Sequence, residues 1–380
     1  MNRKKRVLHV IKTFSLGGAE TNLLNLVQAM DPARVETHVA YSFGGEIEER
    51  FKSEGVRLFK YAEGSHKIKS LATPFIVLKL AAYILRHRID VVHTHLFNAH
   101  VWGGAAARLT GRKVVEHVHD FRYIDETERE KGGYHVDQFR FIRQTKNLSD
   151  AVVVLTAHNK EFLLEEGLQP LEKIWLIRNG IAPAAVPGEN GGGIAGRKIF
   201  LVTARIAAEK NIDLLFRVAP EVAKVCPEAL FVVAGDGPLL EEYRLRAETE
   251  GLGNFLQFIG YRADVKELLK TAYALVLPSF LELHPISILE ALNAGVPVVV
   301  SRGVGCNSEV FTQGENAFLL DPHEPAEWTQ TLIALAFRAI AAASFKSVIL
   351  SNGFEGVSSQ TSRVLGRTAA RSASRLVIST

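Results

Sequence analysis

The sequence has little cysteine, no long apolar run and no strong excess of charge of one sign. Its two cysteines, Cys226 and Cys306, are too few for a disulfide framework or a cysteine zinc site, which predicts a reducing, cytoplasmic location. The most apolar window, residues 71–85, contains Pro74 and Lys79 and is shorter than the ~20 residues that span a bilayer. A formal net charge of +4 over 380 residues gives no reason to expect a nucleic-acid partner.

Short apolar segments rich in β-branched residues alternate with helix-length segments along most of the chain. The candidate strands are RVLHVI, ETHVAYS, DVVHTH, KVVEHV, AVVVLT and KIWLIRN in the first half, and KIFLVTA, LFVVAG, FLQFIG, YALVLP and VPVVVS in the second. Strands that are apolar throughout have both faces buried, as in a parallel sheet covered by helices. The predicted fold class is therefore α/β.

A segment rich in proline and glycine, GIAPAAVPGENGGGIAGRK at 180–198, separates two halves that each begin with a strand and a polar turn. We expect two doubly wound, Rossmann-like domains that face each other across a cleft at the carboxyl ends of their strands. The predicted parts are an N-terminal domain, a linker, a C-terminal domain and a basic tail rich in Ser, Ala and Arg, with the bounds 1–182, 183–197, 198–337 and 338–380.

Two turns that follow strands have the composition of phosphate-binding loops. Gly17 and Gly18 precede a helix, where the backbone can approach a ligand and free N–H groups can bind an anion. Arg205 and Lys210, in TARIAAEKN, offer a bidentate guanidinium and a compact ammonium, a pair suited to a diphosphate. The alternative for the glycines is a tight connection, and for the cations a solvated surface.

The segment VVAGDGPLLEEY at 232–243 predicts a strand, a turn and a helix. Asp236 is expected to cap a helix that Pro238 begins. Gly235 lies in this turn, which could also form a wall of a nucleotide pocket.

Two glutamates flank a predicted helix start in SFLELHPISILEALNAGVPVVVSRG. Glu282 precedes Pro285, which suits a first helical turn, and Glu290 follows within the helix. The helix start leaves the N–H groups of Ile286 and Ser287 free for an oxyanion. Because a carboxylate accepts hydrogen bonds from vicinal hydroxyls, one glutamate for each of two sugars beside a phosphate site matches a sugar nucleotide. The alternative is an exposed helix with two surface carboxylates.

Four histidines lie at the ends of two predicted strands. His93 and His95 alternate in DVVHTH, and His117 and His119 alternate in VVEHVHD, so each pair lies on one face of its strand. A metal site needs three or four converging ligands, which the sequence does not show, and we expect no metal ion. The alternatives for these histidines are a buried structural role and a substrate contact.

In this order and spacing, the motifs resemble the family 4 retaining glycosyltransferases of GT-B fold. The likeness extends from about residue 6 to about residue 335. It is carried by GGAE, DVVHTH, EHVHD, VVVLTAHNKEFLLEEG, KIWLIRNGI, ARIAAEKN, GDGPLLEEY, FIGYRADV and the two glutamates with EALNAGVPVV.

The resemblance implies a site for a nucleoside-diphosphate sugar, in which Arg205 and Lys210 bind the diphosphate and Glu290 holds the ribose hydroxyls. The implied catalytic residues are His119, Arg205, Lys210 and Glu282. The implied donor-binding residues are Gly17, Gly18, Arg205, Lys210, Gly235, Ile259, Glu282, Pro285, Ile286, Ser287 and Glu290. Among these, His119 and Glu282 would face the transferred sugar, and Ile259 would lie beside the base.

The resemblance also implies glycosyl transfer with retention of anomeric configuration, with no cofactor and the nucleotide sugar as co-substrate. Charge develops on the departing diphosphate, so Arg205 and Lys210 would stabilise the transition state more than the ground state without a metal ion. We expect transfer of a hexose-type sugar to a hydroxyl of a saccharide or lipid-linked acceptor, in the synthesis of a surface polysaccharide or glycolipid.

Two features depart from the family pattern. Leu283 and His284 stand where the family has a glycine and an apolar residue before Pro285, and Leu283 is expected to crowd the sugar or to change the backbone path. Beyond Phe337 the family pattern ends, and from Arg363 an arginine recurs at every fourth residue, which suits a helix or an unpacked tail.

These departures motivate a second hypothesis, a catalytically impaired sugar-nucleotide-binding protein of the same fold. A third, a sugar-nucleotide epimerase of GT-B fold, fits the glutamate pair and ARIAAEKN less well. The segment SHKIKSLATPFIVLKLAAYILRHR mixes apolar and basic residues as interfacial helices do, and it predicts peripheral contact with the inner face of a membrane. The alternative for this segment is an ordinary surface helix with a basic face.

Overall fold

The computed structural model describes residues 3–15, 17–62, 73–119, 145–182 and 196–337. The described residues up to 180 form one compact unit, and those from 181 to 337 form a second. Nearly all of the predicted linker, 183–197, and all of the predicted tail, 338–380, lie outside the described residues. The predicted domain bounds therefore stay a prediction.

The N-terminal unit contains a parallel sheet of seven strands. Its strands are β1 (Lys5–Val10), β2 (Val35–Tyr41), β3 (Arg57–Lys60), β4 (Val91–His95), β5 (Lys113–His117), β6 (Ala151–Val154) and β7 (Ile174–Leu176). Their order across the sheet is β3-β2-β1-β4-β5-β6-β7, so the direction of winding reverses between β1 and β4. Its described helices are α1 (Gly18–Ala29), α2 (Glu48–Ser53), α3 (Thr73–Arg86), α4 (Phe97–Leu109) and α5 (Ala157–Glu165).

The C-terminal unit contains a parallel sheet of six strands. They are β8 (Lys198–Thr203), β9 (Ala229–Ala234), β10 (Leu256–Gly260), β11 (Ala272–Leu277), β12 (Val298–Ser301) and β13 (Phe318–Leu320). The order β10-β9-β8-β11-β12-β13 places the reversal between β8 and β11. The helices are α6 (Asp213–Val225), α7 (Leu240–Thr249), α8 (Val265–Thr271), α9 (Ile286–Asn293), α10 (Asn307–Val310) and α11 (Pro325–Phe337).

Both faces of the second sheet are buried under helices, which explains why its strands are apolar throughout. Along β8, Phe200 and Val202 pack into a core on one face, whereas Ile199 and Leu201 pack into a core on the other. Every residue of β9 is buried. The predicted α/β class with two doubly wound parallel sheets is therefore confirmed. In such sheets ligands bind beyond the carboxyl ends of the strands, next to the reversal of strand order.

Candidate active site

An ion pair joins two of the residues predicted to bind the donor. Lys210 Nζ donates a hydrogen bond to Glu282 Oε1 at 2.6 Å, and the two side chains are 14% and 9% exposed. Ser279 Oγ donates a second hydrogen bond to the same carboxylate oxygen at 2.8 Å. The sequence did not predict this pairing, because it assigned both side chains to a ligand. The ion pair holds the ammonium and the carboxylate beside each other without a ligand.

The loop that carries Lys210 is fixed by Asn211, a residue that the sequence did not single out. Asn211 adopts the left-handed conformation (φ 52°), which asparagine tolerates better than most residues. Its side-chain amide donates to the carbonyl oxygens of Pro278 at 3.0 Å and Pro322 at 2.9 Å. The bond to Pro278 ties the Lys210 loop to the segment that leads from β11 to Glu282, and the bond to Pro322 ties it to the segment after β13, so Asn211 positions both members of the ion pair.

The GDG turn after β9 lies directly against the loop that carries Arg205. A methyl group added at Gly235 would overlap the carbonyl oxygen of Ala204, and one at Gly237 would overlap that of Ile206. These glycines are therefore required by the approach of two protein backbones. The Arg205 side chain is exposed, and among the described residues it has no hydrogen-bond or ion-pair partner. Its guanidinium can therefore bind a ligand without breaking a protein contact.

The predicted cap of the next helix is wrong. The helix α7 begins at Leu240, with Leu239 at its N-cap, and not at Pro238. The Asp236 carboxylate instead accepts a hydrogen bond from the amide of Gly237 at 2.7 Å. The physical reason is that the turn is anchored to the Ile206 backbone, to which the Leu239 amide donates at 3.2 Å, before the helix starts.

The start of α9 has the geometry of an anion-binding helix N-terminus. Pro285 is the N-cap residue, with φ −65° and ψ 127°, so the helix starts one residue after the proline. The amides of Ile286 and Ser287 lie in the first turn and have no partner within the helix. Glu290 is half-buried and lies a little over one turn further along. The helix therefore presents two amides and a carboxylate near one end.

Leu283, the residue that departs from the family pattern, is accommodated inside the protein. Its side chain is buried, and its backbone is not in the left-handed region that favours glycine. Its carbonyl oxygen accepts a hydrogen bond from the amide of Cys306 at 2.9 Å. The close approach falls on Gly305 instead: at φ 56°, an added methyl would lie 2.5 Å from the carbonyl oxygens of Glu282 and Leu283. The position that requires a glycine for close backbone approach is therefore Gly305, on the neighbouring loop, and not residue 283.

The residue expected beside the base lies at the end of β10. Ile259 is half-buried and packs against one core of the C-terminal unit. The next residue, Gly260, has φ 74°, and its carbonyl oxygen accepts a hydrogen bond from the Gly235 amide at 2.9 Å. The structure therefore brings Ile259, Gly235 and the Arg205 loop together at one end of the sheet.

In the N-terminal unit, the two glycines at the start of α1 have different surroundings: Gly17 is the N-cap residue and Gly18 is the first residue of the helix. A methyl group at Gly17 would overlap the carboxylate of Glu20, whereas one at Gly18 would meet no described protein atom within 4 Å. Glu20 is buried, and burial raises the pKa of its carboxyl group to about 7. Gly18 therefore has open space beside it, and Gly17 makes room for an acidic side chain that is partly protonated at neutral pH.

Five histidine rings converge at the carboxyl ends of β1, β4 and β5. They are His9, His93, His95, His117 and His119. His93 lies opposite His9 in the parallel register, and His95 lies opposite His117. A chain of contacts runs from His9 Nδ1 to His95 Nε2 at 3.2 Å and from His95 Nδ1 to His119 Nε2 at 3.1 Å.

Burial keeps the inner members of this histidine cluster neutral. It lowers the pKa of His9 to about 3 and holds the pKa values of His93, His95 and His117 well below the ordinary value. The predicted pairs on one face are confirmed, but the inclusion of His9 and the convergence of at least three rings were not predicted. One feature of the sequence did indicate that His9 could join the other histidines: it lies near the end of the first predicted strand, RVLHVI.

Two family models match the chain and together cover most of it. The model described as glycosyl transferases group 1 matches residues 190–337, and the model described as Glycosyltransferase Family 4 matches residues 16–185. The first match lies in the unit with the Lys210–Glu282 ion pair, and the second lies in the unit with the histidine cluster.

Two curated relatives extend the similarity along the chain. The UDP-Gal:alpha-D-GlcNAc-diphosphoundecaprenol alpha-1,3-galactosyltransferase of Escherichia coli is 26% identical in an alignment of 343 positions that covers 87% of each chain. The putative glycosyltransferase EpsF of Bacillus subtilis is 27% identical in an alignment of 318 positions that covers 79% of this chain and 80% of EpsF.

Among solved structures, Anabaena HepE in complex with UDP and glucose is similar to this chain, with a TM-score of 0.72 and 20% identity. The similarity covers 98% of this chain and 99% of HepE. At this identity the likeness concerns the fold. Together with the two parallel-sheet units, it confirms the predicted GT-B fold.

Proposed function

The chain belongs to the group 1 glycosyltransferases of family 4 type, and we propose that it is a retaining enzyme that transfers a hexose from UDP to a hydroxyl acceptor. The observation that carries this proposal is the Lys210–Glu282 ion pair beside the first turn of α9. It places a cation, a carboxylate and helix amides in one part of the C-terminal unit.

The donor diphosphate is assigned to Arg205, Lys210 and the amides of Ile286 and Ser287. Arg205 is exposed and has no partner among the described residues, so it contributes a full charge to an incoming phosphate. When the diphosphate binds, the Lys210 ammonium either leaves Glu282 for a phosphate oxygen or contacts both. The helix N-terminus adds two donors with a favourable dipole. Together these cations and amides would offset the negative charge on both phosphate groups of the donor.

The two carboxylates are assigned to the two sugars of the donor. Glu290 accepts hydrogen bonds from the ribose hydroxyls, and Glu282, released from Lys210 in part, accepts them from the hexose. The base lies beside Ile259. His119, Gly17 and Gly18 of the N-terminal unit keep the roles that the family resemblance gives them, as contacts of the donor and acceptor.

The proposed reaction proceeds by departure of the diphosphate and attack of the acceptor hydroxyl on the same face of the sugar. Negative charge grows on the diphosphate as the glycosidic bond lengthens, so Arg205, Lys210 and the α9 amides bind the transition state more tightly than the ground state. An oxygen of the departing diphosphate takes the proton of the acceptor hydroxyl. No metal ion on the diphosphate is needed in this scheme.

The choice of UDP and of a lipid-linked acceptor rests on the relatives. The Escherichia coli relative is named for a UDP-galactose donor and a diphosphoundecaprenol acceptor, and HepE is bound to UDP and glucose. We assign this chain to the same chemistry, in the synthesis of a surface polysaccharide or glycolipid. The exposed apolar stripe on α3 supports contact with a membrane surface, since Phe75, Leu78 and Leu85 are 75%, 61% and 57% exposed.

The test is donor binding followed by transfer. A thermal-shift screen of UDP, GDP and their hexose conjugates is expected to show stabilisation by the UDP compounds. Transfer to a synthetic polyprenyl-diphosphate saccharide is then followed in the presence of EDTA, and the anomeric configuration of the product is read by NMR. A product of inverted configuration contradicts the proposal. Binding of UDP-hexose with neither hydrolysis nor transfer favours the impaired-enzyme hypothesis instead.

A further inference from the structure

Several ring nitrogens of the histidine cluster are buried without a hydrogen-bond partner. In the part of the chain that the structure describes, neither nitrogen of His93 or of His117 has a partner, and His9 Nε2 has none. The side chains of His9, His93 and His95 are fully buried. Most buried polar atoms are satisfied in native proteins, because an unpaired one costs stability. His93, with neither ring nitrogen satisfied, therefore points to a ligand that is bound by imidazole.

The sheet presents His9, His93 and His95 to a common point. His93 and His95 are two residues apart on β4 and lie on the same face, and His9 on the neighbouring strand β1 pairs with His93 in the parallel register. One nitrogen from each ring lies within 4.8 Å of those from the other two. The backbone register thus places the three side chains next to one another on one face of the sheet.

The spacing of the three rings suits a single metal ion. The ring centroids are 5.0 Å apart for His9 and His93, 5.5 Å for His9 and His95, and 4.3 Å for His93 and His95, with the rings tilted to one another. Three imidazoles that bind one zinc ion at about 2.0–2.1 Å place their centroids roughly 5 Å apart. The contact of 3.2 Å between His9 Nδ1 and His95 Nε2 is also close to the separation of two ligand atoms around such an ion.

We propose that His9, His93 and His95 bind one divalent transition-metal ion of the zinc class in the N-terminal unit. Neutral imidazole is a preferred ligand of Zn²⁺, Ni²⁺ and Cu²⁺, whereas Mg²⁺ and Ca²⁺ select oxygen ligands. All three ligands belong to the N-terminal unit, and the proposal does not depend on the proposed donor or reaction.

A second group of three, His95, His117 and His119, fits an ion less well. The rings of His117 and His119 stack with centroids 3.9 Å apart and an angle of 29° between their planes, so their in-plane lone pairs run closer to parallel and converge less well on one ion. The contact of 3.1 Å between His95 Nδ1 and His119 Nε2 instead serves as a supporting hydrogen bond. When His95 Nε2 binds the ion, its proton resides on Nδ1 and is donated to His119. The ion would thereby fix the tautomer and the orientation of His119.

The experiment measures metal binding by the full-length chain. After treatment with EDTA, the protein is titrated with Co²⁺, whose visible spectrum reports a tetrahedral site, and with Zn²⁺ in competition with a chromophoric chelator. We expect one equivalent to bind. His9→Gln and His93→Gln should weaken binding by at least roughly tenfold, because each removes a ligand. The control is His117→Gln, which changes a buried histidine of the same cluster and should bind with about wild-type affinity.

Circular dichroism of each variant establishes that it is folded. A folded wild-type chain that binds neither ion overturns the proposal and leaves a hydrogen-bonded histidine cluster. Loss of binding in His117→Gln with retention in His93→Gln also overturns it, because the ion would then lie at the other group of three.

Discussion

At the scale of single residues, Glu290 provides the most direct test of the donor site. Replacing it with glutamine keeps the shape of the side chain but removes the charge that strengthens two hydrogen bonds to ribose. We expect Glu290→Gln to weaken UDP binding by about tenfold to a hundredfold, or about 1.4 to 3 kcal/mol, as measured by isothermal titration calorimetry. The control is Glu242→Gln, an exposed carboxylate on α7 of the same unit. Equal affinities of the two variants for UDP would show that Glu290 does not contact the donor.

The Lys210–Glu282 ion pair calls for a double variant, since each residue supports the other. Lys210→Met leaves a carboxylate that is only 9% exposed without its cation, and breaking a buried pair in this way costs about 3–5 kcal/mol. Lys210→Met combined with Glu282→Gln removes both charges. We therefore expect the double variant to be more stable to urea than Lys210→Met alone.

Lys210→Met and the double variant should both fail to bind UDP, because neither retains the Lys210 ammonium. This pattern separates a role in donor binding from a role in stability. If the double variant is stable and still binds UDP with wild-type affinity, then Lys210 does not contact the diphosphate.

At the scale of elements, the loop before α9 depends on Gly305 for its path. Gly305→Ala would introduce a methyl 2.5 Å from the carbonyl oxygens of Glu282 and Leu283, which displaces the loop that carries Glu282. We expect a loss of UDP affinity of at least roughly tenfold although Gly305 is not assigned to the ligand, together with about 1–3 kcal/mol of backbone strain. The chain offers a matched control in Gly303→Ala.

Gly303 also has a positive φ, of 70°, but an added methyl there meets no atom within 4 Å. Gly303→Ala should therefore lose stability while retaining UDP affinity. Similar affinities of the two alanine variants, measured at a temperature where both are folded, would show that the close approach at Gly305 does not shape the donor loop.

The apolar stripe on α3 makes a prediction for the element as a whole. Phe75, Leu78 and Leu85 are exposed on the face opposite to the buried residues Ile76 and Leu80. Replacing the three exposed residues with serine should reduce sedimentation with phosphatidylglycerol vesicles by about tenfold, because apolar burial at the interface is lost. The control is Leu109→Ser, which changes an equally exposed leucine at the end of α4. Unchanged sedimentation would leave α3 an ordinary surface helix.

Among the described residues, no helix is long and apolar enough to cross a membrane. If α3 contacts a membrane through its apolar stripe, its basic residues Lys79 and Arg86 would lie at the lipid headgroups.

The elements themselves could largely be predicted from the sequence, since buried parallel strands leave continuous apolar runs. The strands that it missed, β3 and β13, lie at the edges of their sheets and are short, and β3 has only two apolar residues between two charged ones. The contacts of the site were less accessible. Lys210 and Glu282 are 72 residues apart, and nothing in either motif indicates that their side chains meet. His9 was missed for a similar reason, because its partners come from another strand.

At the scale of the whole molecule, Glu20 links stability to pH. Burial raises the pKa of its carboxyl group from 4.5 to about 7 in the folded chain. Between these values the unfolded chain has released the proton that the folded chain keeps, so the free energy of unfolding falls as pH rises. The fall amounts to about 3 kcal/mol and is complete just above pH 7.

Glu20→Gln keeps a neutral side chain at every pH and should abolish this dependence. Urea unfolding followed by tryptophan fluorescence at pH 5 and pH 8 should show the variant gaining stability relative to the wild type at the higher pH. Parallel pH profiles of the two proteins would show that the Glu20 carboxyl group is not held neutral.

The histidine cluster also has a consequence for the order of folding. It joins strands whose contacting residues are 86 and 24 positions apart in the chain, so it forms only after loops of very different length have closed. Loop closure must precede such non-local contacts, which slows folding. Dehydration of the five rings therefore belongs to a late step, in which β1, β4 and β5 are already in register. A chain that stops folding before that step would leave these histidine rings exposed to solvent in the centre of its sheet, where a chaperone or a protease could bind.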